Sequence, residues 1–212
     1  MTRATGAPST TVVVLAAGAG SRFHDSGHKL LATLPASGGR PAESVVRRAV
    51  AAALAAGLGP VVVVTGRLTA DELDLPSHPD LAAVANPDWA SGQMTSLRAG
   101  LDRAGEAGSE AAVVGLGDQP GIEPGAWRAV AAAAHGGAPI AVATYDGRRG
   151  NPVALRAEVW DLLAGAGDEG ARGLMQLRPD LVVPVPCTGS PFDIDTVEDL
   201  RRWQSSSSTN SP

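Results

Sequence analysis

The stretch VVVLAAGAGSRF, Val12 to Phe23, runs from β-branched residues into a string with nothing larger than serine, and then into an arginine. Val12–Leu15 has the composition of a buried strand. The small residues from Ala16 to Ser21 mark a sharp turn at which something lies close to the backbone. Two familiar glycine loops fail by spacing. A dinucleotide fingerprint needs a third glycine, and that position is Phe23. A Walker loop needs lysine directly after its last glycine, whereas the first lysine beyond Gly20 is Lys29, followed by Leu30. The physics shared by both loops survives: a strand end whose glycines turn backbone N–H groups toward an anion, with Arg22 and Lys29 adding positive charge. The alternative is an ordinary tight turn between strand and helix.

Further strand-like runs occur at Val61–Thr65, Leu81–Ala85, Ala111–Leu116, Ile140–Thr144 and Leu181–Val185, with the first strand spanning Thr11–Ala16. Helical patterns lie between them at Glu43–Ala56, Ala70–Leu75, Gln93–Arg103, Pro124–His135, Ala157–Ala164, Gly170–Leu177 and Val197–Trp203. Short, nearly continuous apolar strands alternating with helices predict a doubly wound, three-layer α/β fold with a mostly parallel sheet covered on both faces. One domain is expected over residues 11–203. Residues 1–10 and the tail 204–212 carry too little apolar surface to bury and read as disordered.

Composition narrows the function. The chain of 212 residues has a net charge of −5, which argues against a nucleic-acid backbone as partner, since that needs a basic face. A small anion needs only a local cationic pocket. Cys187 is the sole cysteine, so no intrachain disulfide can form. The absence of an apolar signal stretch, and of any run near the ~18 apolar residues of a membrane span, points to a cytoplasmic protein without membrane contact. His24 and His28 have i,i+4 spacing, but Gly27 makes a loop the better reading than a metal-binding helix. Trp89, Trp127, Trp160 and Trp203 lack the spacing of a stacking platform and read as packing.

In parallel sheets ligands bind beyond the carboxyl ends of the strands. Three polar segments stand at such ends: Gly18–Lys29, Gly117–Pro120 and Asp193–Asp199. Asp118 is either a metal-binding carboxylate or the side chain of a local turn. Asp195 has the same two readings, because Asp195 or Thr196 could cap the helix beginning near Val197. Asn86 and Ser96 flank a turn and the start of a helix, where they either touch base or sugar or simply order the cap. Arg148, Arg149 and Asn151 read as a loop before Pro152 that is either an acceptor-phosphate site or a solvated basic turn. Cys187 reads as a small buried residue rather than a nucleophile.

LAAGAGSRF with Lys29-Leu30-Leu31, then NPDWASGQMTSLRAGL, GLGDQP, GRRGNPVAL, GDEGAR and DIDTVEDL, resemble in order the motifs of the MobA-like nucleotidyltransferases. The similarity covers Val12 to Leu200, with the molybdenum cofactor cytidylyltransferases as the nearest branch. It implies a three-layer α/β enzyme that uses Mg²⁺ to move a nucleotidyl group from an NTP, CTP or GTP, onto a phosphate-bearing acceptor. A molybdoenzyme or its chaperone is then the receiving partner. By motif, the backbone of Leu15, Ala16, Ala17, Gly18, Ala19, Gly20 and Ser21 cradles base and phosphates, Arg22 and Lys29 hold the triphosphate, and Asp118 and Asp195 hold the metal. LAAG at residues 15–18, rather than LAGG, points to cytidylyl transfer. The HDSGH spacer before Lys29 is longer than the family's usual form, and Asn151 stands where the family often has histidine.

Such a transfer brings two polyanions together, so cations and a metal are needed to offset their repulsion, and no nucleophilic side chain is required. Alternatives are a related NTP transferase acting on methylerythritol phosphate or phospholactate, and a nucleotide-binding regulatory module without turnover. An NAD-dependent oxidoreductase is disfavoured by Phe23.

Overall fold

The computed structural model describes residues 9–36, 39, 41–165 and 170–208. Nine strands and five α-helices follow in chain order among these residues. The first half comprises β1 (Thr10–Leu15), β2 (Thr33–Leu34), β3 (Glu43–Ser44), α1 (Val45–Ala55), β4 (Val61–Thr65), β5 (Leu81–Ala85) and α2 (Gln93–Glu106). The second comprises β6 (Ala111–Leu116), α3 (Pro124–His135), β7 (Ile140–Tyr145), β8 (Arg148–Arg156), α4 (Ala171–Leu177), β9 (Val182–Pro186) and α5 (Val197–Ser208). Apart from the small β2–β3 ribbon, the strands form one sheet of order β5-β4-β1-β6-β8-β7-β9. Only β8 runs against its neighbours; the other pairings are parallel.

Successive side chains of a strand point to opposite faces, and the valines of β1 divide accordingly. Val12 and Val14 pack with Val46 and Val50 of α1 and with Trp127 and Val130 of α3. Val13 packs with Leu97 and Leu101 of α2 on the other face. Small side chains let the alanine-rich helices approach closely. At Gly115 of β6 the space a Cβ would need is filled by the Trp127 ring, which comes within 2.4 Å of that position. A third, smaller core joins Phe23, Leu34, Val45 and Ile194. Phe23, the residue that breaks the dinucleotide pattern, is thus a core anchor, 2% exposed.

Several segments differ from the sequence expectation. Arg148, Arg149 and Asn151 lie in β8, not in a loop. Pro152 disguises that strand, because proline cannot donate to a sheet ladder. It is accommodated because the β7–β8 register shifts there: Val142 pairs with Val153, but Thr144 pairs with Arg149. Ala70–Leu75 forms a turn in place of a helix, and the Ala157–Ala164 helix is replaced by two 3-10 segments, Ala157–Val159 and Asp161–Gly165. Thr10 is already in β1, and α5 continues through residues 204–208, which the composition had marked as disordered. Residues 1–8 and 209–212 lie outside the described residues, as do 167–169 of the GDEGAR motif. Among the described residues no helix is long and apolar enough to cross a membrane.

Candidate active site

From β1 the chain moves outward to β4 and β5, then returns to place β6 on the other side of β1. The strand order therefore reverses between β1 and β6, where doubly wound sheets open a crevice. Leu15 and Leu116, the last residues of these strands, line two adjoining cavities of about 340 and 320 Å³. Each lies in the size range of small-molecule sites, roughly 300–1,000 Å³, so the crevice has room for two substrates.

The smaller cavity is walled by Ala16–Ala19, Trp89, Ser96, Lys29 and Asp118. Two causes account for the small residues of the glycine loop. Ala16 and Ala17 are buried by the protein itself: Ala17 packs on Gly66, where a Cβ would come within 2.7 Å of the alanine methyl. Gly18 faces open space, with nothing within 4 Å of a Cβ placed there. Gly20 adopts φ 61°, a left-handed conformation suited to glycine. Ala19 and Ser21 are exposed on the same rim.

The three polar strand ends converge. Lys29 Nζ donates to Asp118 Oδ2 at 2.5 Å and to Asp195 Oδ1 at 2.6 Å, and Arg22 Nη1 lies 3.0 Å from Asp195 Oδ2. The backbone brings them together. Ile194 N–H donates to Asp118 O at 2.9 Å, while the Ile194 side chain is fixed in the core that holds Phe23 beside Arg22. Lys29 and Asp118 side chains are only 13% and 14% exposed, whereas Arg22 is 69% exposed at the mouth. Burial alone pulls the Lys29 ammonium down, but the Asp118 charge and the hydrogen bonds to both aspartates outweigh it and hold its pKa above the ordinary value. Lys29 is therefore a fixed cation. Loss of hydration, reinforced by the Asp118 charge, pushes Asp193 up to about 6. A buried cation between two acids is at best weakly stabilising, so folding gives little reason for this cluster.

The local readings of the two aspartates fail. Thr196 caps α5 together with Asp199: Thr196 N–H and Oγ1–H donate to Asp199 Oδ2, and Asp199 N–H donates back to Thr196 Oγ1. Asp195 is free of that duty. Asp118 makes no side-chain turn bond; its Oδ1 is buried and has no hydrogen-bond partner among the described residues. An orphaned, buried carboxylate oxygen beside a second carboxylate suits a hard divalent cation completed by phosphate oxygens and water. Asp118 and Asp195 are the residues that fit it. No group of three or more potential His, Cys, Asp or Glu ligands occurs among the described residues.

Other predicted residues separate from the site or change role. Asn86 is buried, with Nδ2 donating to Thr95 Oγ1 and Ser96 Oγ and Oδ1 accepting from Asp88 N–H. It ties β5 to α2 and does not face the cavity, whereas Ser96 lines it. On β8, Arg149, Gly150 and Asn151 line the larger cavity with Arg172 and Gln176 of α4, but Arg148 does not. Adjacent strand residues point to opposite faces, so Arg149 and Asn151, two residues apart, share the crevice face and Arg148 lies on the other. Asn151 Nδ2 donates to Gln119 Oε1 at 3.0 Å, and Gln119 Nε2 donates to Pro191 O, linking this wall to the Asp118 turn. Cys187 is half-buried, its thiol pushed up by burial and donating to Val185 O. Gln93 and Trp89 were missed as site residues by sequence reasoning. A glutamine beginning a helix and a tryptophan in a turn carry no pattern; only the approach of α2 to β1 brings them to the crevice.

Residues 12–182 match the MobA-like NTP transferase domain. Over 206 residues the chain is 32% identical to nicotine blue oxidoreductase of Paenarthrobacter nicotinovorans, covering 92% of this chain and 96% of that protein. Rv0371c from Mycobacterium tuberculosis H37Rv superposes with a TM-score of 0.77 at 26% identity, over 94% of this chain and 100% of the other. A manganese complex of Rv0371C superposes with a TM-score of 0.69 at 25% identity, covering 93% and 99%. By its domain, its sheet and the strand ends gathered at the β1–β6 crevice, this chain belongs to the MobA-like NTP transferase family and is a nucleotidyltransferase.

Proposed function

We propose that the protein transfers CMP from CTP onto the phosphate of a molybdopterin-type acceptor and releases pyrophosphate, with Mg²⁺ as its metal. The observation that carries the reading is the Lys29–Asp118–Asp195 cluster, whose Lys29 and Asp118 wall the smaller of two cavities that share Leu15, Gln93 and Leu116. The nucleotide occupies the cavity beside Leu15–Ala19, and the acceptor the one walled by Arg149 and Arg172. An acceptor phosphate oxygen attacks the α-phosphorus; the new P–O bond forms as the bond to the pyrophosphate oxygen breaks. Lys29 and Arg22 offset the charge that builds between the polyanions, and the Gly18–Ser21 backbone orients the triphosphate. Mg²⁺ held by Asp118 and Asp195 supplies further charge neutralisation when bound. The acceptor is ionised near neutral pH, so no side-chain base is needed.

One observation favours a second reading. The relative from Paenarthrobacter nicotinovorans is named nicotine blue oxidoreductase, so a redox reaction is a competing chemistry for this scaffold. A buried lysine between two carboxylates argues for nucleotidyl transfer, because a redox reaction does not require two polyanions to be brought together.

One assay separates the readings: purified protein, Mg²⁺, molybdate-loaded molybdopterin and equimolar CTP, GTP, ATP and UTP, with products resolved by mass. A cytidylyl adduct is the expected result. A guanylyl adduct overturns the base assignment alone, and no adduct overturns the acceptor. Conversion of nicotine blue in a parallel reaction with NADH or NADPH added as reductant, without nucleotide transfer, supports the second reading in place of the first.

A further inference from the structure

We infer that His28 is a positioning residue whose neutral imidazole staples the glycine loop to the helical turn carrying Lys29, and so sets where an NTP's phosphates lie relative to that lysine. The inference rests on the NTP-transfer reading and adds to it a residue outside the charged cluster.

Both ring nitrogens are engaged. Nδ1 accepts from Leu30 N–H at 3.3 Å, and Nε2 lies 3.0 Å from Gly18 O. An acceptor role at Nδ1 leaves the proton on Nε2, which donates to the Gly18 carbonyl. The main chain of His28 contributes as well, its carbonyl accepting from Leu31 N–H at 2.9 Å. His28 therefore caps the Lys29–Leu31 turn with one edge of its ring and grips the phosphate-facing loop with the other. The loop has no side chain of its own to hold it at Gly18 or Gly20. At Gly20 a Cβ would lie 2.9 Å from His28 Nε2, so the ring fills the space a larger residue would take. Occupation of both nitrogens also leaves no lone pair for the metal-ligand role suggested by the His24–His28 spacing. The longer HDSGH spacer has a structural use: it ends in the residue that ties the loop back.

The surroundings keep the ring neutral. Burial is the leading cause, and the nearby charges of Lys29 and Arg67 add to it, against a weaker opposing effect of the Gly18 carbonyl. Protonation would aim a second ring N–H at the Leu30 N–H and break the cap.

The test compares wild type with His28→Gln, which keeps a donor for Gly18 O without titrating, and with His28→Ala. CTP and GTP affinity with Mg²⁺ is measured by calorimetry over about pH 5.5 to 8, and KM and kcat are measured where turnover is found. His28→Ala is expected to weaken NTP binding roughly five- to tenfold, leaving the KM for the acceptor unchanged, and His28→Gln to restore most of the loss. Wild-type affinity should fall on the acid side, and that limb should be absent from His28→Gln. Wild type that binds NTP, with both variants equal to it or with the acid limb retained in His28→Gln, overturns the inference and leaves the transfer reading standing. Wild type that binds no NTP overturns both. If His28→Ala does not fold, the affinity and pH profile of His28→Gln carry the test.

Discussion

On the glycine-loop side of the crevice, the groups that face a ligand are backbone atoms and a charged cluster with fixed partners. On the β8–α4 side they are long side chains, Arg149, Arg172 and Gln176, projecting from a bulged strand and a seven-residue helix. The first side leaves little room for variation, because Lys29 is locked between Asp118 and Asp195 and Ala17 is wedged on Gly66. The second can change side chains without disturbing the sheet. Under the proposed function the first side carries the transfer chemistry and the second sets the acceptor.

This contrast can be broken by substitution. Asp118→Ala should lower kcat by about 10³-fold without loss of fold, since its side chain bonds only Lys29; thermal melting checks folding and product formation checks turnover. An active variant would remove Asp118 from the chemistry. Next in size, Gly66→Ala should destabilise the protein by roughly 1–3 kcal/mol, because the new methyl would sit 2.6 Å from Trp89 Cβ and 2.7 Å from the Ala17 methyl. Gly18→Ala should leave stability unchanged while weakening NTP binding, because its methyl enters open space. Paired denaturation and calorimetry distinguish a loop kept small by packing from one kept open for a ligand.

On the other side, Arg149→Ala and Arg172→Ala should each raise the KM for the acceptor about tenfold and spare the KM for NTP. Arg148→Ala, on the opposite strand face, should change neither. Equal effects from Arg148 and Arg149 would refute the assignment of strand faces. The smallest effect concerns pH. His28 has a folded pKa below its ordinary 6.5, so the unfolded chain takes up the proton first on acidification. Its contribution to stability is complete above that value and declines as pH falls through it. The melting temperature of wild type should thus fall more steeply below about pH 6.5 than that of His28→Gln.

The regions differ in legibility for the same physical reason. Strands β1, β4, β5 and β6 are continuous apolar runs, and their ends were read to within a residue. The polar segments after β1 and β6, and the DIDT segment beyond β9, stood out because charges there have no place in a core. β8 was hidden, since Arg148-Arg149-Gly150-Asn151-Pro152 lacks strand periodicity and pairs only through a register shift. Asn86 shows the converse case. A polar residue at a strand end suggested a ligand contact, yet its side-chain hydrogen bonds all go to the α2 connection. His28 was visible only as one of a spaced pair of histidines, because its partners are a backbone carbonyl and a backbone amide that no side-chain pattern records.

By itself the sequence determined the alternation of strands and helices, the largely parallel sheet, and the identities of Arg22, Lys29, Asp118 and Asp195, because these depend on local composition and on what a buried strand excludes. Tertiary structure decided which of those groups meet. The Ile194–Asp118 backbone bond and the Phe23 core bring chain segments far apart in sequence to one lysine. It also decided which strand face holds Arg149, and that Thr196 caps α5 while Asp195 does not. Those outcomes depend on distances between segments remote in sequence, which are set only when the helices close on the sheet.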